Sequence, residues 1–442
     1  MKKFTSDVIV VGAGTAGCYF AWQMGKAGYK ALVLEANKLT DLGRQIEIFH
    51  MDKIRFDEFA IPHPTKPELI HTEEVGYTWS PDLKIKQPVR YPFYVMHMPS
   101  FIQRMQGYAR KAGARLLEKA KVTGLIIEDG KLVGVKGKQG TDNFEARAKL
   151  VVDASGLAAA VRTRLPADFG LETDPVPPED CLFVCLELRD KIPTGFPTGS
   201  NSYLFHKAFW NKGYGEGAIL GIGQPNSFDY AWQKHKEWRE EYFGNPGKVI
   251  KKRQGTIPYH RSPFSLVGDG FMAIGDAANQ NKPFSGEGCT SGFTAARIAS
   301  GVAAKSLKKG KAGKDQLWEY NYQYFTGQGA KFAAGLAQLP AAAELTRKDV
   351  IYLFKHNIIF SSKDFEELNT NYEIVMGTGT LLKIGFTLIW GVVTGQFAGS
   401  SLNKFLSASG QASTIKAHYL KYPRNPAEFP AWALEAKKLW KE

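Results

Sequence analysis

The chain has 442 residues, which is too long for one small hydrophobic core, so length alone predicts two or three domains. Its 44% hydrophobic content is that of a folded soluble protein, and its four cysteines give no disulfide framework and no completed metal site. We expect no metal. The net charge of +14 favours an anionic partner: nucleic acid, a membrane surface or a phosphorylated cofactor.

The N-terminus runs almost directly into an apolar segment, 8–11, that ends in glycines. It lacks the succession of charged, apolar and small residues that marks a signal peptide. Together with the few cysteines, this predicts a cytoplasmic protein.

A nucleotide-binding pattern opens the chain. A β-rich run at 7–11 is followed by GAGTAG at 12–17, a helical stretch at 18–26 and a second strand at 31–34 that closes on Glu35. A lone GxGxxG is a weak signal, but strand, glycine turn, helix, strand and acid in this order predict a dinucleotide site.

Each position of this pattern has a physical reason. Gly12 allows the tight turn, Gly14 lets the backbone approach a pyrophosphate, and Gly17 lets the helix pack closely on the strand. The helix N-terminus offers N–H groups and a positive dipole end to the phosphates. Glu35 would accept hydrogen bonds from ribose hydroxyls.

Further elements follow in chain order. The pattern predicts a helix at 102–113, strands over 115–135 with a hairpin turn at Asp129-Gly130, and an apolar strand at 149–153. Residues 181–260 alternate β-like runs with one helical stretch at 230–242, which indicates an α+β insertion.

The sequence pattern predicts helices from about residue 315 onward. The apolar run at 384–395 is too short to span a bilayer, and we interpret it as a buried helix, with an interfacial helix as the alternative. The lysine-rich stretch at 305–316 is interpreted as a solvated loop, with anionic lipid as the alternative partner.

Two later segments resemble known cofactor motifs. LVVDASGLAAAVRTRL (150–165) and FMAIGDAANQNKPFSGEG (271–288) resemble the second and third FAD motifs of the flavoprotein superfamily that includes para-hydroxybenzoate hydroxylase. The DASG form, and GDAA followed by Gly-Glu-Gly before a helix, are similar to the geranylgeranyl reductase branch, which also includes the FixC-like dehydrogenases. The resemblance covers about residues 5 to 325.

The resemblance implies an α/β fold: a Rossmann-type FAD-binding domain with an inserted α+β substrate domain and a C-terminal helical region. The expected boundaries are 1–170 and 266–325 for the FAD-binding domain, 171–265 for the substrate domain and 326–442 for the helical region. One FAD is expected, since no second glycine motif has a helix after it.

The resemblance also implies site residues. The glycines of the first motif would hold the pyrophosphate, Val122 would contact adenine through its backbone, Asp276 would bind the ribitol, and the Gly-Glu-Gly would bring a helix N-terminus to the flavin ring. Arg44 is added as a cation that could reach the phosphates. The expected cofactor-binding residues are Gly12, Gly14, Gly17, Glu35, Arg44, Val122, Asp153, Gly275, Asp276, Gly286, Glu287 and Gly288.

The reaction implied by the resemblance is reduction of carbon–carbon double bonds in an isoprenoid lipid or prenyl diphosphate. Glu47 and His50 are candidate proton sources, although such a pair is also ordinary at a surface. Phe209, Trp210 and Tyr214 are candidates for the wall of an apolar substrate site, or are ordinary core aromatics. Ferredoxin or NAD(P)H would be the external reductant.

Other functions are also compatible with these motifs. The same motifs serve flavin monooxygenases or epoxidases and FixC-like dehydrogenases that use quinone, and a related fold without FAD serves as a prenyl-binding chaperone. Cys289, which follows Gly288, is either a thiol made reactive by a helix N-terminus or a small buried residue. We expect no nucleic-acid partner, and a peripheral contact at the inner face of the cell membrane remains an expectation.

Overall fold

The computed structural model describes residues 1–190, 207–211, 217–225, 227–245, 247–283, 285–358 and 361–442. Within these residues the strands, in chain order, are β1 (Lys2–Thr5), β2 (Val8–Val11), β3 (Ala31–Leu34), β4 (Ile48–Asp52), β5 (Leu69–Glu73), β6 (Gly76–Trp79), β7 (Lys86–Val89), β8 (Phe93–His97), β9 (Arg115–Leu117), β10 (Ala120–Glu128), β11 (Lys131–Gln139), β12 (Asp142–Arg147), β13 (Leu150–Asp153), β14 (Cys181–Arg189), β15 (Lys207–Asn211), β16 (Gly217–Pro225), β17 (Val249–Pro258), β18 (Val267–Gly268) and β19 (Phe271–Ala273).

The α-helices of the described residues are α1 (Thr15–Lys26), α2 (Lys53–Glu58), α3 (Met98–Lys111), α4 (Phe228–Phe243), α5 (Cys289–Lys308), α6 (Lys314–Tyr324), α7 (Ala330–Ala343), α8 (Arg347–Lys355), α9 (Ser362–Thr370), α10 (Thr378–Val393), α11 (Gly399–Tyr419) and α12 (Phe429–Trp440). A single turn of π-helix joins α6 to α7.

A mostly parallel sheet carries the nucleotide-binding pattern. Its strand order is β18-β19-β13-β2-β3-β9, and only the short edge strand β18 is antiparallel to its neighbour. Every residue of β2, β3 and β13 is buried, as expected for a parallel sheet that is covered on both faces. Helices α1 and α5 pack against each other beside this sheet. The predicted Rossmann-type α/β fold is therefore confirmed.

A second sheet, β1-β12-β11-β10, lies beside the first. Its hairpin pairs Glu128 with Lys131 around Asp129 and Gly130, both of which have positive φ. The predicted hairpin is confirmed, because an Asp-Gly pair meets the backbone demand of such a tight turn.

The predicted α+β insertion contains the antiparallel sheet β15-β16-β14-β17 with α4 packed on it. A smaller sheet, β4-β8-β5, faces it, and apolar side chains of both sheets share one cluster that includes Ile48, Val95, Leu186 and Leu188. This cluster fixes the inserted sheet against the FAD-binding part, so that β14 reaches the same cavity as the glycine turn.

The C-terminal region is helical, as predicted, and it uses two cores. The main core includes Tyr419 at the end of α11, Tyr422 just after that helix, and Trp432 of α12. Helices α8 and α10 form a small separate core around Tyr352 and Leu388.

The interpretation of 384–395 as a buried helix is wrong. Helix α10 buries only Leu388 and Gly391, while Phe386 and Trp390 are 78% and 63% exposed. A helix that is apolar on every side can bury only the side that has a partner, and here α8 covers a single face.

Candidate functional site

A cavity of about 930 Å³ crosses the carboxyl ends of β3, β2, β13 and β19. This is where open parallel sheets bind ligands, because the loops and helix N-termini that follow the strands converge there. One end of the cavity is lined by Glu35 and Val122, and we call it the Glu35 end. The other end is lined by Gly286 to Cys289, at the start of α5, and we call it the α5 end.

The three glycines of the first motif have different environments. A Cβ on Gly12 would lie 2.2 Å from the carbonyl oxygen of Ala154, and one on Gly17 would lie 2.2 Å from the carbonyl oxygen of Gly12. A Cβ on Gly14 would meet no atom within 4 Å. Gly12 and Gly17 thus allow the chain segments to pack, whereas Gly14 leaves space in the cavity.

The N-terminus of α1 opens onto this space. Gly14 is the N-cap residue and supplies no side-chain cap, and Thr15 and Ala16 line the cavity. The first N–H groups of a helix have no partner within the helix, and the dipole adds positive potential at this end. The turn therefore presents a site for an anion such as a pyrophosphate.

Glu35 directly follows β3 and fixes the loops around the cavity. Its carboxylate accepts hydrogen bonds from the backbone N–H of Ala13 at 3.0 Å and of Asn37 at 2.9 Å. Val122 lines the same end, as the resemblance implied. A carboxylate held in this position can also accept hydrogen bonds from ribose hydroxyls.

Asp153 lies behind the cavity wall and does not line it. Its two oxygens accept four hydrogen bonds, from Ser155 N–H and Oγ and from the N–H groups of Val161 and Arg162, at 2.6 to 3.1 Å. The side chain is fully buried and acts through the loop it holds, of which Ser155 and Gly156 line the cavity.

Gly275 and Asp276 follow β19 and line the middle of the cavity. Gly275 has φ +66°, and a Cβ there would lie 3.1 Å from the Cβ of Ala16. Burial raises the pKa of Asp276, and a hydrogen bond with Asn281 opposes that effect. Asn281, which the motif comparison did not single out, thus holds Asp276 at the cavity.

The glycines before α5 bring its N-terminus to the cavity. Gly286 has φ +67°, a conformation that favours glycine. A Cβ on Gly288 would lie 2.4 Å from Oδ1 of Asn281, and Gly288 is the N-cap residue of α5 without a side-chain cap. The α5 end therefore has the same open helix terminus as the glycine turn.

Glu287 joins His50 to a buried cation. One carboxylate oxygen contacts Nε2 of His50, and the other accepts a hydrogen bond from Nζ of Lys282 at 2.7 Å. His50 and Glu287 line the cavity, while Lys282 lies behind them with only 5% of its side chain exposed. Burial acts to lower the pKa of Lys282, but the charges of Glu287 and Asp52 outweigh it and raise that pKa.

The C-terminal region covers this network. Nζ of Lys282 donates to Oδ1 of Asn369 at 2.9 Å, and the buried guanidinium of Arg55 donates to the carbonyl oxygens of Asn369 and Thr370. Sequence reasoning missed Lys282 and Asp52, although a lysine inside the small and polar third motif was a visible signal.

Glu47 does not line the cavity, unlike His50. Its carboxylate accepts hydrogen bonds from Nζ of Lys251 at 2.6 and 2.8 Å and from Nη2 of Arg253 at 3.0 Å. Burial acts to raise the pKa of Glu47, but the two cations outweigh burial and lower it. An ionised carboxylate in this setting has no proton to donate at neutral pH, so the geometry favours a structural tie between β4 and β17.

Arg44 also lies outside the cavity. Its side chain is 59% exposed, and its Nε donates to the carbonyl oxygen of Thr40 at 3.2 Å. It lines a separate cleft of about 540 Å³ together with Lys252 and Arg253. Among the described residues, the lysine and arginine that line the cavity are Lys121 and Arg164.

The inserted sheet supplies an apolar wall near the α5 end. Leu182, Val184 and Leu186 of β14 line the cavity, together with Ile257 of β17. They alternate along the strand with residues that point to the opposite face, as the strand period requires. The run CLFVCLEL predicts an apolar strand, but which of its two faces lines the cavity depends on how the sheet packs.

Of the three aromatic candidates, the structure describes the backbone of two. Phe209 and Trp210 belong to β15, which is separated from β14 by β16. Tyr214 lies outside the described residues. A substrate-binding role for these residues stays a prediction.

Cys289 lines the cavity at the start of α5. Burial raises the pKa of its thiol to about 12, and this effect outweighs a hydrogen bond with Thr15. The structure therefore favours a small, unreactive residue over a thiolate nucleophile.

The residues present fit FAD. Gly14 leaves open space at an uncapped helix N-terminus, Glu35 stands at the ribose position of a dinucleotide site, and Gly288 leaves a second uncapped helix N-terminus at the far end. Fold and site together define a Rossmann-type flavoprotein with one elongated cofactor cavity.

The chain belongs to the FAD dependent oxidoreductase family, whose model matches residues 50–305. A model of the NAD(P)-binding Rossmann-like domain matches residues 10–72. The protein is thus an FAD-dependent oxidoreductase, as the sequence motifs predicted.

Its curated relatives include two archaeal proteins named digeranylgeranylglycerophospholipid reductase. The protein from Sulfolobus acidocaldarius is 23% identical over 98% of this chain and 97% of its own length. The protein from Methanocella arvoryzae is 28% identical over 72% of this chain and 82% of its own. A solved structure, described as a geranylgeranyl bacteriochlorophyll reductase-like protein from Thermoplasma acidophilum, superposes with TM-score 0.75 at 18% identity and covers 93% of this chain and 100% of its own. At this sequence identity, the structural likeness shows a shared fold.

Proposed function

We propose that this enzyme reduces carbon–carbon double bonds in the isoprenoid chains of a lipid or a prenyl diphosphate. The observation that carries the proposal is the apolar wall of Leu182, Val184, Leu186 and Ile257, which lines the same cavity as the nucleotide-binding turn. An apolar wall suits a hydrocarbon chain, which has few polar groups for a site to recognise. The names of the curated relatives support the same substrate class.

The chain's own residues would hold the cofactor and supply a proton. Bound FAD, once reduced by the external donor, would supply a hydride to one carbon of the double bond, and a side chain would supply the proton to the other carbon. The turn at Gly14 and the carboxylate of Glu35 would hold the adenosine diphosphate part, and the N-terminus of α5 would place positive potential at the other end.

We propose His50 as the proton donor for this reaction. Its ring lines the cavity, and Glu287 contacts Nε2 and orients the imidazole. Lys282 donates a hydrogen bond to the second oxygen of Glu287, so the carboxylate is held in place beside the ring. General acids of this kind must lie at the reacting atoms, and the place of His50 on the cavity wall supports it over Glu47, which does not line the cavity.

An anaerobic experiment tests the reaction. Enzyme with bound FAD is reduced by dithionite and mixed with geranylgeranyl lipid without oxygen. We expect the absorbance of oxidised FAD to return and the product mass to rise by pairs of hydrogens. Reoxidation that requires oxygen, with a product that gains an oxygen atom, would make the enzyme a monooxygenase and reject the proposal.

The external reductant, ferredoxin or NAD(P)H, is also a proposal. The cleft that holds Arg44, Lys252 and Arg253 shares Gln45 with the cavity, and Trp232 lies in it with Nζ of Lys252 4.9 Å from its ring centre. Its excess of cations suits the diphosphate of a nicotinamide cofactor as well as the acidic surface of a ferredoxin.

Reversing one charge in this cleft tests whether the reductant binds there. Lys252→Glu should raise the KM for the physiological reductant about tenfold. The same variant should leave reduction by dithionite unchanged. Lys308→Glu, on the exposed end of α5, is the control. An unchanged KM in Lys252→Glu would show that the reductant docks elsewhere.

A substrate of this class would be met at a membrane, and we propose a peripheral contact with one. No helix among the described residues is long and apolar enough to cross a bilayer.

A further inference from the structure

The outward face of α10 is an unpartnered apolar surface. Leu382, Phe386, Ile389, Trp390 and Val393 are exposed by 56% to 78%. Their spacing of three and four residues places them along one side of the helix. Single exposed apolar side chains are ordinary, but a row of this kind on one helix marks an interaction surface.

The opposite face of α10 is firmly held. A Cβ on Gly391 would lie 2.6 Å from Cζ of Tyr352, so glycine is required for this close approach. Tyr352 also donates a hydrogen bond to the carbonyl oxygen of Thr387 at 2.6 Å. Leu388 completes this small core. Because α8 fixes the inner face of α10, its outer face is presented in a fixed orientation.

The segment that carries this face has charges of one sign. The segment 374–427 contains no aspartate or glutamate, and it contains Lys383, Lys404, Lys416, Lys421 and Arg424. Two of these cations are paired with acids from outside the segment, Lys404 with Glu344 and Lys416 with Glu373. The apolar row thus lies in a segment that carries positive charge and no negative charge of its own.

This combination identifies the partner. Aromatic and aliphatic side chains beside lysines are typical of helices that lie in the interface of an anionic bilayer. A second copy of the chain is a poorer partner, because a symmetric contact would bring two cationic segments together. The sixteen residues of α10 span about 24 Å, which is shorter than the hydrocarbon core of a bilayer.

We infer that α10, with the start of α11, is a docking surface for anionic lipid bilayers, and that α10 lies parallel to the membrane plane with Phe386 and Trp390 in the acyl region. Phe405 and Leu406 on α11 are also exposed, by 39% and 59%. The inference rests on the proposed function in one respect, since it gives the enzyme access to a lipid substrate. Its test uses vesicles of saturated lipid, so it does not depend on turnover.

Vesicle flotation measures the docking directly. The full chain with FAD is mixed with vesicles of phosphatidylcholine alone or with added phosphatidylglycerol, all with saturated chains. We expect binding to the anionic vesicles. The triple variant Leu382→Ser, Phe386→Ser, Trp390→Ser should bind them about tenfold more weakly or less, because its apolar contact is removed.

Two controls isolate the surface. Ile250→Ser with Leu434→Ser removes two apolar side chains that are exposed by 56% and 58% elsewhere, and it should bind like the unmodified chain. Lys383→Gln with Lys421→Gln should weaken binding to anionic vesicles about fivefold per charge. Lys308→Gln with Lys309→Gln, in the stretch 305–316, should have little effect. FAD content and circular dichroism report whether each variant is folded.

Three results would overturn the inference. One is equal flotation of the unmodified chain and the triple variant. Another is equal loss of binding in the Ile250→Ser, Leu434→Ser control. A third is a dimer in solution that the triple variant converts to a monomer without any loss of vesicle binding, which would make the face a contact between copies. Vesicle binding without reduction of double bonds would reject only the proposed function.

Discussion

At the scale of single residues, the cavity separates side chains that are neighbours in sequence. His50 lines the cavity and contacts Glu287, while Glu47, three positions earlier, is tied to Lys251 and Arg253. The difference arises because β4 begins at Ile48, so Glu47 lies before the strand that carries His50 to the cavity. A proton donor must reach the substrate, so this placement supports our proposal of His50 over Glu47.

Replacement of His50 tests its role. His50→Gln should lower kcat by about 10²-fold or more, since general acids contribute this much, while FAD content stays unchanged. The measurement is anaerobic reoxidation of the dithionite-reduced enzyme, with the pH profile as a second readout. His63→Gln changes a histidine that does not line the cavity and is the control. A normal rate and pH profile in His50→Gln would remove His50 from the mechanism.

Substitution of two glycines of the first motif should cause two different defects. Gly14→Ala should lower FAD affinity and change the stability of the FAD-free protein by less than about 1 kcal/mol, because its Cβ meets open space. Gly12→Ala should destabilise the protein itself by about 1–3 kcal/mol or more, because its Cβ would lie 2.2 Å from a carbonyl oxygen. Urea unfolding and FAD titration distinguish the two. Equal stability losses in both variants would contradict the assignment of Gly14 to the cofactor.

Cys289 offers a chemical test at the same scale. Because burial raises its pKa to about 12, its thiol should react with a maleimide at pH 7 much more slowly than an exposed cysteine. Mass spectrometry of the labelled protein measures this, with denatured protein as the reference. Rapid labelling of Cys289 in the native FAD-bound protein would support a reactive thiolate.

At the scale of elements, ion pairs and apolar contacts fix the inserted sheet to the FAD-binding part. The cluster around Val95 and Leu186 joins β8 to β14, and Glu47 joins the start of β4 to β17. These contacts place the apolar wall of β14 in the cavity. The orientation of this sheet therefore determines which substrates can be held.

The ion pairs of Glu47 with Lys251 and Arg253 predict a pH-dependent contribution to the free energy of unfolding. Glu47→Gln should lower the free energy of unfolding by about 1 kcal/mol at pH 7, an amount suited to a partly exposed pair. Because the folded-state pKa of Glu47 is lowered from 4.5, this stabilisation is complete above pH 4.5 and is lost as the pH falls through the folded-state value.

Urea unfolding of both proteins at pH 7 and at several values below 4.5 provides the measurement. Glu128→Gln, which removes a fully exposed pair with Arg147, is the control and should change stability less. A difference between Glu47→Gln and the unmodified chain that grows as the pH falls would contradict the prediction.

At the scale of the whole molecule, the C-terminal region and the cofactor site are one structural unit. Asn369 and Thr370 contact Lys282 and Arg55, which lie behind the α5 end of the cavity. The same region carries the outward face of α10. The site is therefore completed by residues that follow the FAD motifs by about 80 positions or more.

Cofactor binding should stabilise this unit. A ligand that binds only the folded state at one hundred times its Kd adds about 2.7 kcal/mol. We expect FAD to raise the Tm of the FAD-free protein, and Asn369→Ala to reduce FAD affinity by loosening Lys282. Thermal unfolding at several FAD concentrations measures both effects. A Tm that does not change with FAD would contradict the assignment of the cavity.

The sequence by itself determined the cofactor and the fold class. The glycine turn, its two strands and Glu35 lie within one short segment, so their geometry follows from local rules of turns, helices and strands. The later motifs likewise carry their own turns. Local chemistry could not show which charged side chains lie at or behind the cavity wall, so the sequence pattern assigned Arg44 to the cofactor and gave no role to Lys282.

Only the tertiary structure decided the remaining features. Glu47 meets Lys251 and Arg253 some two hundred residues away, Lys282 meets Asn369, and the apolar face of β14 lines the same cavity as the glycine turn. The exposure of α10 was decided in the same way, because an apolar helix is buried only as far as a partner covers it. Such contacts depend on how distant segments pack, and a pattern within one segment does not contain that information.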